Sequence, residues 1–534
     1  MKPYVCAALA AVWLIGCRTA LRTEDSVSLG ADAADDYKNY SGSVICKNSF
    51  LVEASSVEKI QQVVKTAAAE GRNIRVVSLD ASRSYSPVIC PESGGIVLNV
   101  KGLNRLVSVD KDSQTAVVEP GLLINELQDK LDIYGLTFPV TPDYNGVSIA
   151  GGMATGAHHS SLRIPSEISE WIEEINLVDG QGNLRKLNGN QMDLGRVHLG
   201  LLGVIYQLKL RVVPQFKVKY GFTKLPDENL ESTIENLVRP HDYARVMWFP
   251  SQKTIIVDHF DKVPSSTSGD SYSNLWTSTP PIPQINTFAV NTLNSGKLTQ
   301  CAAEALRVRT FGGQFKVVDS DSDAPVGWSH KMLAGSCPNG ACSWDKGVNT
   351  RTVEVGFPLS QVGDWIKDVR ALVAARRACF PVLGIYMRFS AASTSALGQA
   401  GGRDTVLFEI HIPQGPKPML EPSSDVYEEM VQMTLMKYNG RPHWGKNSMP
   451  YFLNLSTEQY PKFGEFEELR LKLDPAGSFT SPFWKNIRAQ TQPVPTEGCA
   501  VTRECICASD SDCGLGARCE AGVVFKEARV CRKN

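Results

Sequence analysis

Thr141-Pro142-Asp143-Tyr144-Asn145-Gly146-Val147-Ser148-Ile149-Ala150-Gly151-Gly152-Met153-Ala154-Thr155-Gly156-Ala157-His158-His159-Ser160-Ser161 crowds small residues together without hydrophobic periodicity. Such a run lets backbone N–H groups approach a ligand closely, because no side chain holds the ligand off. Taken alone, a structural tight turn is the default reading, so the flanking sequence has to decide. Upstream, Ser55-Ser56-Val57-Glu58 has capping-box spacing and opens a helix. In that helix Val57, Ile60, Val63, Val64 and Ala67 keep the 3.6-residue period, and Gly71 is the stop. Ile74 to Val77, Ile96 to Val100, Leu106 to Val109 and Ala116 to Val118 read as short strands between turns. Leu123, Leu127 and Leu131 mark a second helix closed by Gly135. Downstream, Ile172 to Val178, an Asp179-Gly180 turn and Val204 to Val213 continue the alternation. The glycine-rich run therefore sits inside a mixed α+β domain spanning about residues 43–215, closed by Pro214.

Strands and helices mix again over 216–435, around a Ser/Thr/Pro-rich loop at 264–284. An aromatic- and glycine-rich segment, 436–490, follows, and a Pro-containing linker leads into a cysteine-rich tail at 491–534. With 534 residues the chain is too long for one core, which fits two or three domains. A formal charge of -1 leaves no polyelectrolyte footprint, so nucleic acid is not an expected partner.

The N-terminus reads as a targeting segment: Lys2, then an apolar run from Val5 to Gly16. It ends in Leu14-Ile15-Gly16-Cys17, similar to the bacterial lipobox, whose cysteine is acylated. The expectation is a signal peptide over 1–17, a polar tether over 18–42, and an exported protein held at the membrane by lipid. A simple signal peptide is the alternative. Cys499, Cys505, Cys507, Cys513, Cys519 and Cys531 crowd the tail. Zinc is the rival reading, but the tail has no His and no CxxC pair, so three disulfides are expected in an oxidising compartment.

The run at 141–161 resembles the second FAD-binding segment of vanillyl-alcohol oxidase-type flavoproteins, and within them the sugar-lactone oxidases (L-gulonolactone and D-arabinono-1,4-lactone oxidases). Four other stretches carry the same resemblance: Val117-Val118-Glu119-Pro120-Gly121, Leu199-Gly200-Leu201-Leu202-Gly203-Val204-Ile205, Gly384-Ile385-Tyr386-Met387-Arg388-Phe389 and Arg441-Pro442-His443-Trp444-Gly445-Lys446. The tail, ending Lys526-Glu527-Ala528-Arg529-Val530-Cys531, is similar to that of the plant L-gulonolactone oxidases. Together the resemblance covers about 43–534. It implies an α+β fold: a two-part FAD-binding domain, an α+β substrate-cap domain over 216–435, a segment at 436–490 returning to the active site, and the disulfide-rich tail.

For FAD, the resemblance implies contacts from Arg83, Ser84, Pro120, Gly121, Thr141, Ser148, Gly151, Gly152, Thr155, Gly156, His158, Gly203 and Ile205. It implies catalytic roles for Lys446, Arg388 and His443. A flavin that takes hydride from a carbinol accumulates negative charge, which a nearby cation stabilises. Lys446 and Arg388 are the candidates, and Arg388 would also grip a lactone oxygen with its donor fork. The implied reaction is oxidation of an aldonolactone at a carbinol carbon. For L-gulono-1,4-lactone this is C2, with enolisation to L-ascorbate, and oxygen as acceptor gives hydrogen peroxide. Pro120 favours oxygen, since proline or glycine there tends to accompany oxidases. Alternatives are an alditol or oligosaccharide oxidase, and a catalytically inactive flavin-fold lipoprotein.

Three residues depart from the family pattern. Arg83 stands where relatives carry the histidine that bonds covalently to the flavin, and a permanently protonated guanidinium is no nucleophile. Non-covalent FAD is therefore expected, with Arg83 free to pair with phosphates. Tyr386 replaces a glutamate that some relatives carry two residues before the arginine, and His159 replaces a glycine. His158 and His159 point to opposite sides of an extended segment, and no carboxylate or cysteine adjoins the pair, so no metal site is expected there.

Overall fold

The computed structural model describes residues 34–39, 42–79, 84–273, 291–310, 317–318, 325–334, 350–413, 419–453, 458–491 and 495–533. Arg83, the Leu14–Cys17 segment and much of the 264–284 loop lie outside them. Among the described residues, no helix is long and apolar enough to cross a membrane.

Four strands form the first sheet, in the order Asp35–Lys38, Ile45–Glu53, Ile96–Asn99, Ile74–Val77. The last three run parallel, which requires a crossover, and the Val57–Glu70 helix supplies it. Ile60, Val63, Val64 and Ala67 bury the face of that helix, as their spacing predicts. Its cap lies one residue later than the capping-box reading places it. Ser56, not Ser55, accepts from Lys59 N at 3.2 Å, which leaves Glu58 in the first turn rather than closing a box. Gly71 ends the helix at φ 65°, a conformation that costs a residue with a Cβ.

The second sheet is antiparallel: Leu106–Asp110, Thr115–Val118, Val204–Arg211, Ile172–Val178, Leu184–Leu187. The strand expected over 204–213 breaks after Arg211, and Val213–Pro214 pairs instead with Leu136–Thr137. A core forms between this sheet and the Ile124–Asp132 helix, from Leu127, Leu131, Ile175, Leu177, Leu208 and Leu210. The late helices Phe463–Leu473 and Pro482–Ala489 complete it with Phe466, Phe483 and Trp484.

The third sheet has eight strands, in the order Val326–Trp328, Lys217–Pro226, Thr254–Val263, Tyr243–Phe249, Ile385–Ser390, Thr405–Pro413, Thr350–Pro358, Arg441–Pro442. Its inner strands alternate strictly. Val246, Val353, Val355, Met387, Phe389, Phe408 and Ile410 share a core with the Leu230–Val238, Val362–Arg376 and Ser424–Lys437 helices. The intervening residues, which include Arg245, Glu354, Arg388 and Glu409, face the other way.

The tail holds the three disulfides expected of it, and the fold supplies the pairing that the sequence left open: Cys499–Cys505, Cys507–Cys519 and Cys513–Cys531. Cys46–Cys90 and Cys301–Cys379 tie the body. The tail docks on the Ser424–Lys437 helix, where buried Glu429 accepts from the N–H groups of Val523, Val524 and Phe525 at 2.7, 2.6 and 2.9 Å.

Candidate active site

Cross-strand register assembles the charged face of the eight-stranded sheet. Glu354 lies opposite Glu409, and Glu409 opposite Tyr386. Two carboxylates facing each other repel unless cations join them. Lys446 Nζ donates to Glu354 Oε2 at 2.6 Å and to Glu409 Oε2 at 2.8 Å. Arg388 Nη2 donates to Glu409 Oε2 at 2.6 Å and also to Glu354 Oε2. On the outer oxygens, His158 Nε2 lies 2.8 Å from Glu354 Oε1, and His411 Nε2 lies 3.0 Å from Glu409 Oε1.

Burial alone would raise both carboxyls, but the surrounding cations outweigh it. Glu354 is held well below the usual carboxylate range by His158, Lys446 and Arg388. Glu409 is lowered to about 2 by Lys446 and Arg388. Both stay ionised at neutral pH. The Arg388 guanidinium is buried: Nη1 reaches His158 O at 3.3 Å and Nη2 bonds both carboxylates, while the buried Nε has no hydrogen-bond partner among the described residues. A grip on a lactone through the Nη groups, as the resemblance implies, would have to displace these bonds. Lys446 is the open member, with 21% of its side chain exposed. An ammonium has three N–H donors, and two are used here.

A second tier lies alongside. Tyr386 Oη donates to Asp143 Oδ2 at 2.7 Å, and Arg245 Nη1 donates to Asp143 Oδ1 at 2.7 Å. Arg245 also grips buried Asp258 with Nε at 3.0 Å and Nη2 at 2.6 Å. Burial opposes ionisation of Asp143, but Arg245 and Arg388 hold its carboxyl far below its ordinary value.

The turn that presents His443 and Lys446 is anchored by the residue between them. Trp444 is buried against Phe452, Tyr460, Phe483 and Trp484, and its indole N–H donates to Leu397 O at 2.7 Å. Lys446 N and Asn447 N both donate to His443 O at 3.1 Å, which tightens the turn. Gly445 N donates to His443 Nδ1 at 3.0 Å, so the ring proton sits on Nε2. Burial lowers His443 to about 3, helped by the charges of Lys446, His158 and Arg388, so the ring is neutral.

Gly445 is also where the sheet meets the glycine-rich run. Its carbonyl accepts from Tyr85 N at 2.7 Å and from Ser84 Oγ at 3.4 Å, and a Cβ on it would stand 3.5 Å from Thr155. A short helix, Ile149–Ala154, occupies the middle of the run, with Ser148 at its N-cap. Val147, Gly151 and Thr155 are spaced four apart along it and stay partly open, whereas Ser148, Gly152 and Gly156 are buried. Gly121 packs under it, where a Cβ would fall 2.3 Å from Val100 O. Pro120 O accepts from Ala150 N at 3.4 Å, and Thr141 is buried with no hydrogen-bond partner for its hydroxyl. Gly203 passes against Val178 O, and Ile205 continues into the neighbouring strand. The exposed backbone at Gly151, the hydroxyls of Ser84 and Thr155, and the Lys446 ammonium suit a flat ring carrying phosphates; this donor set fits FAD.

His158 and His159 diverge as adjacent extended residues should. His158 joins the carboxylate cluster, while His159 donates from Nε2 to Leu333 O at 3.0 Å and packs edge-on to Tyr243. Burial lowers His159 to about 4. A carboxylate does arrive beside His158 from another strand, as Glu354, within 4.8 Å of His158 and His443. Lys446 and Arg388 already neutralise it, which disfavours a metal ion. Glu354, Glu409, His411, Arg245 and Asp258 are site residues not singled out from sequence. Their one local signal is a charged residue at the alternate position of an otherwise apolar strand.

Comparison with known proteins agrees with this geometry. Residues 49–188 match an FAD-binding domain family and residues 496–533 match the C-terminal domain of the L-gulonolactone oxidase 2-like type. L-gulonolactone oxidase 2 of Arabidopsis thaliana is 28% identical, over 91% of this chain and 89% of that protein. L-gulonolactone oxidase of Mus musculus is 23% identical, over 84% of this chain and 98% of that protein. Among solved structures, a solvent-stable cholesterol oxidase superposes with a TM-score of 0.69 at 16% identity, covering 85% of this chain and 97% of its own. That likeness extends to the fold. The fold is that of the vanillyl-alcohol oxidase type, and FAD is the cofactor. Residues 208–487, more than half of the chain, match the D-arabinono-1,4-lactone oxidase family, and the chain belongs to it.

Proposed function

We propose that the chain oxidises an aldono-1,4-lactone of the L-gulono or D-arabinono type at a carbinol carbon, with oxygen as acceptor and hydrogen peroxide as co-product. Lys446 carries this reading: an ammonium held by Glu354 and Glu409 with one donor left over, on the turn whose Gly445 lies against Thr155. FAD, when bound, supplies the two-electron acceptor. Ser84, Gly151, Thr155 and Gly445 would hold it, with Arg83 at the phosphates and no covalent link.

The chain's own groups orient and polarise the substrate rather than act as strong bases. Glu354 and Glu409 are held low, and the His443 acceptor nitrogen is taken by Gly445 N. The third Lys446 N–H is a fixed donor where negative charge accumulates, and such a donor needs no reorganisation as the reaction proceeds. Asp143, Tyr386 and Arg245 form the polar wall that would face sugar hydroxyls. We further propose export with a lipid on Cys17, which the Leu14-Ile15-Gly16-Cys17 sequence and the five disulfides among the described residues support.

Anaerobic mixing of the FAD-loaded protein with L-gulono-1,4-lactone, D-arabinono-1,4-lactone or xylitol tests the reading. Bleaching of the flavin by a lactone, followed by peroxide on admitting air, is expected. Bleaching by xylitol alone, or by none of the three, would overturn it.

A further inference from the structure

His241, His259 and Asp261 form a second cluster of ligand-type side chains, on the far side of the eight-stranded sheet from Arg245 and Asp258. Along the Thr254–Val263 strand, Asp258 and Phe260 face the active-site side, so His259 and Asp261 face the side covered by helices. His241 follows the Leu230–Val238 helix and closes onto them. Its Nδ1 lies 2.9 Å from Asp261 Oδ2, and His259 Nδ1 lies 3.1 Å from the same oxygen. The two imidazoles stack with centroids 3.7 Å apart and planes 20° apart.

Two features separate this cluster from an ordinary hydrogen-bonded surface. Gly221 lies opposite His259 in the neighbouring strand, and a Cβ there would stand 2.6 Å from the ring, so the bare position makes room for the imidazole. The Asp261 carboxylate accepts from Asp242 N at 3.2 Å and, among the described residues, is matched by no Lys or Arg. Among the described residues its ion pairs are with His241 and His259 alone, although Lys219 lies across from it in register. Nearby Arg163 is occupied by Asp242, and Lys262 lies over Phe216. In the active-site cluster, by contrast, Glu354 is already matched by Lys446 and Arg388.

We propose that His241, His259 and Asp261 bind one divalent first-row transition ion. Two imidazoles and one carboxylate select the zinc, copper and nickel class over magnesium or calcium, which favour oxygen donors. Bonds of about 2.0–2.2 Å to a shared ion place neighbouring donors roughly 3–3.5 Å apart, close to the 2.9 and 3.1 Å between each ring nitrogen and the Asp261 oxygen, and all three ligand atoms lie within 4.8 Å of one another. All three side chains are partly exposed, so an ion has a path in and water completes its shell. Such an ion would tie the turn at His241 to the strand at His259, away from the oxidising centre.

Zn2+ titration of the chelator-treated, FAD-loaded protein by calorimetry tests the site. One equivalent should bind, with a rise in melting temperature. The His241→Ala/His259→Ala variant should weaken binding by more than the roughly 10–100-fold typical of losing an outer-shell partner. Asp261→Asn, which keeps the side chain's shape, should lose the Zn2+-dependent rise in melting temperature and so serves if the double variant misfolds. No stoichiometric uptake by the wild type, or uptake that survives these changes but is lost in His443→Ala, would overturn the proposal.

Discussion

Tyr386 and Glu409 face each other across adjacent antiparallel strands, which puts the Glu409 carboxylate 2.6 Å from the Arg388 guanidinium. A carboxylate thus reaches Arg388 from one strand over. Glu409 is a positioning residue: it acts by holding Arg388 and Lys446. Glu409→Gln keeps an acceptor and removes the charge. Because Glu354 still partners both cations, the stability loss should fall below the roughly 3–5 kcal/mol typical of orphaning a buried charge. Turnover should fall more than KM changes, since the cations are loosened rather than lost. Denaturant melts and steady-state kinetics check both; unchanged turnover would remove the positioning role.

The same residue sets an acid limb. Its folded value of about 2 lies below the ordinary 4.5, so its contribution to stability is full above about pH 4.5 and disappears as pH falls through about 2. Stability should therefore decline on acidification across that window, and decline less steeply in Glu409→Gln. Equal slopes in the two proteins would show that Glu409 does not drive the acid limb.

How much of this was legible depends on distance along the chain. The Val57–Glu70 helix, the strands around it and the glycine-rich run are local patterns, and each shows in a window of a few residues. Lys446, His443 and Arg388 stood out only through the resemblance. Glu354 and Glu409 did not stand out, because their role depends on register among strands at 350–358, 385–390 and 405–413, and no local spacing encodes which of these pair. The cap of the first helix shifted by one residue because adjacent serines compete for it. Disulfide pairing in the tail was open for the same reason as the register: six cysteines permit many connectivities, and only the fold chooses.

For the tail, the expected pairs are Cys499–Cys505, Cys507–Cys519 and Cys513–Cys531. Peptide mapping under non-reducing conditions should recover them. Cys513→Ser/Cys531→Ser should cost about 2–5 kcal/mol in the segment it closes. Because Glu429 holds the tail through three backbone N–H groups, loosening should reach the Ser424–Lys437 helix. Hydrogen exchange in that helix measures this, and undisturbed protection there would mean that the tail hangs independently.

Acylation at Cys17 is tested by Cys17→Ser, which should move the protein from the membrane fraction to the soluble exported fraction. A variant that stays with membranes places the anchor elsewhere.

Lys446→Ala separates catalysis from cofactor retention. Loss of a charge-stabilising donor costs about 2.7–4 kcal/mol, or about 10²–10³ in rate. FAD should stay bound, because Ser84, Gly121, Gly151 and Thr155 are positioned by backbone contacts that do not involve the ammonium. The substitution also leaves Glu354 and Glu409 facing each other with only Arg388 between them, so one of them should titrate at higher pH than before. The residual activity should then show an acid limb that the parent lacks. Flavin stoichiometry after gel filtration, single-turnover reduction and the pH profile read these three effects separately. In both proteins acid precipitation should leave the yellow colour in solution, as Arg83 in place of a histidine requires. A flavin-loaded Lys446→Ala protein with near-normal reduction would remove the catalytic role, and loss of flavin would make Lys446 a cofactor-binding residue instead.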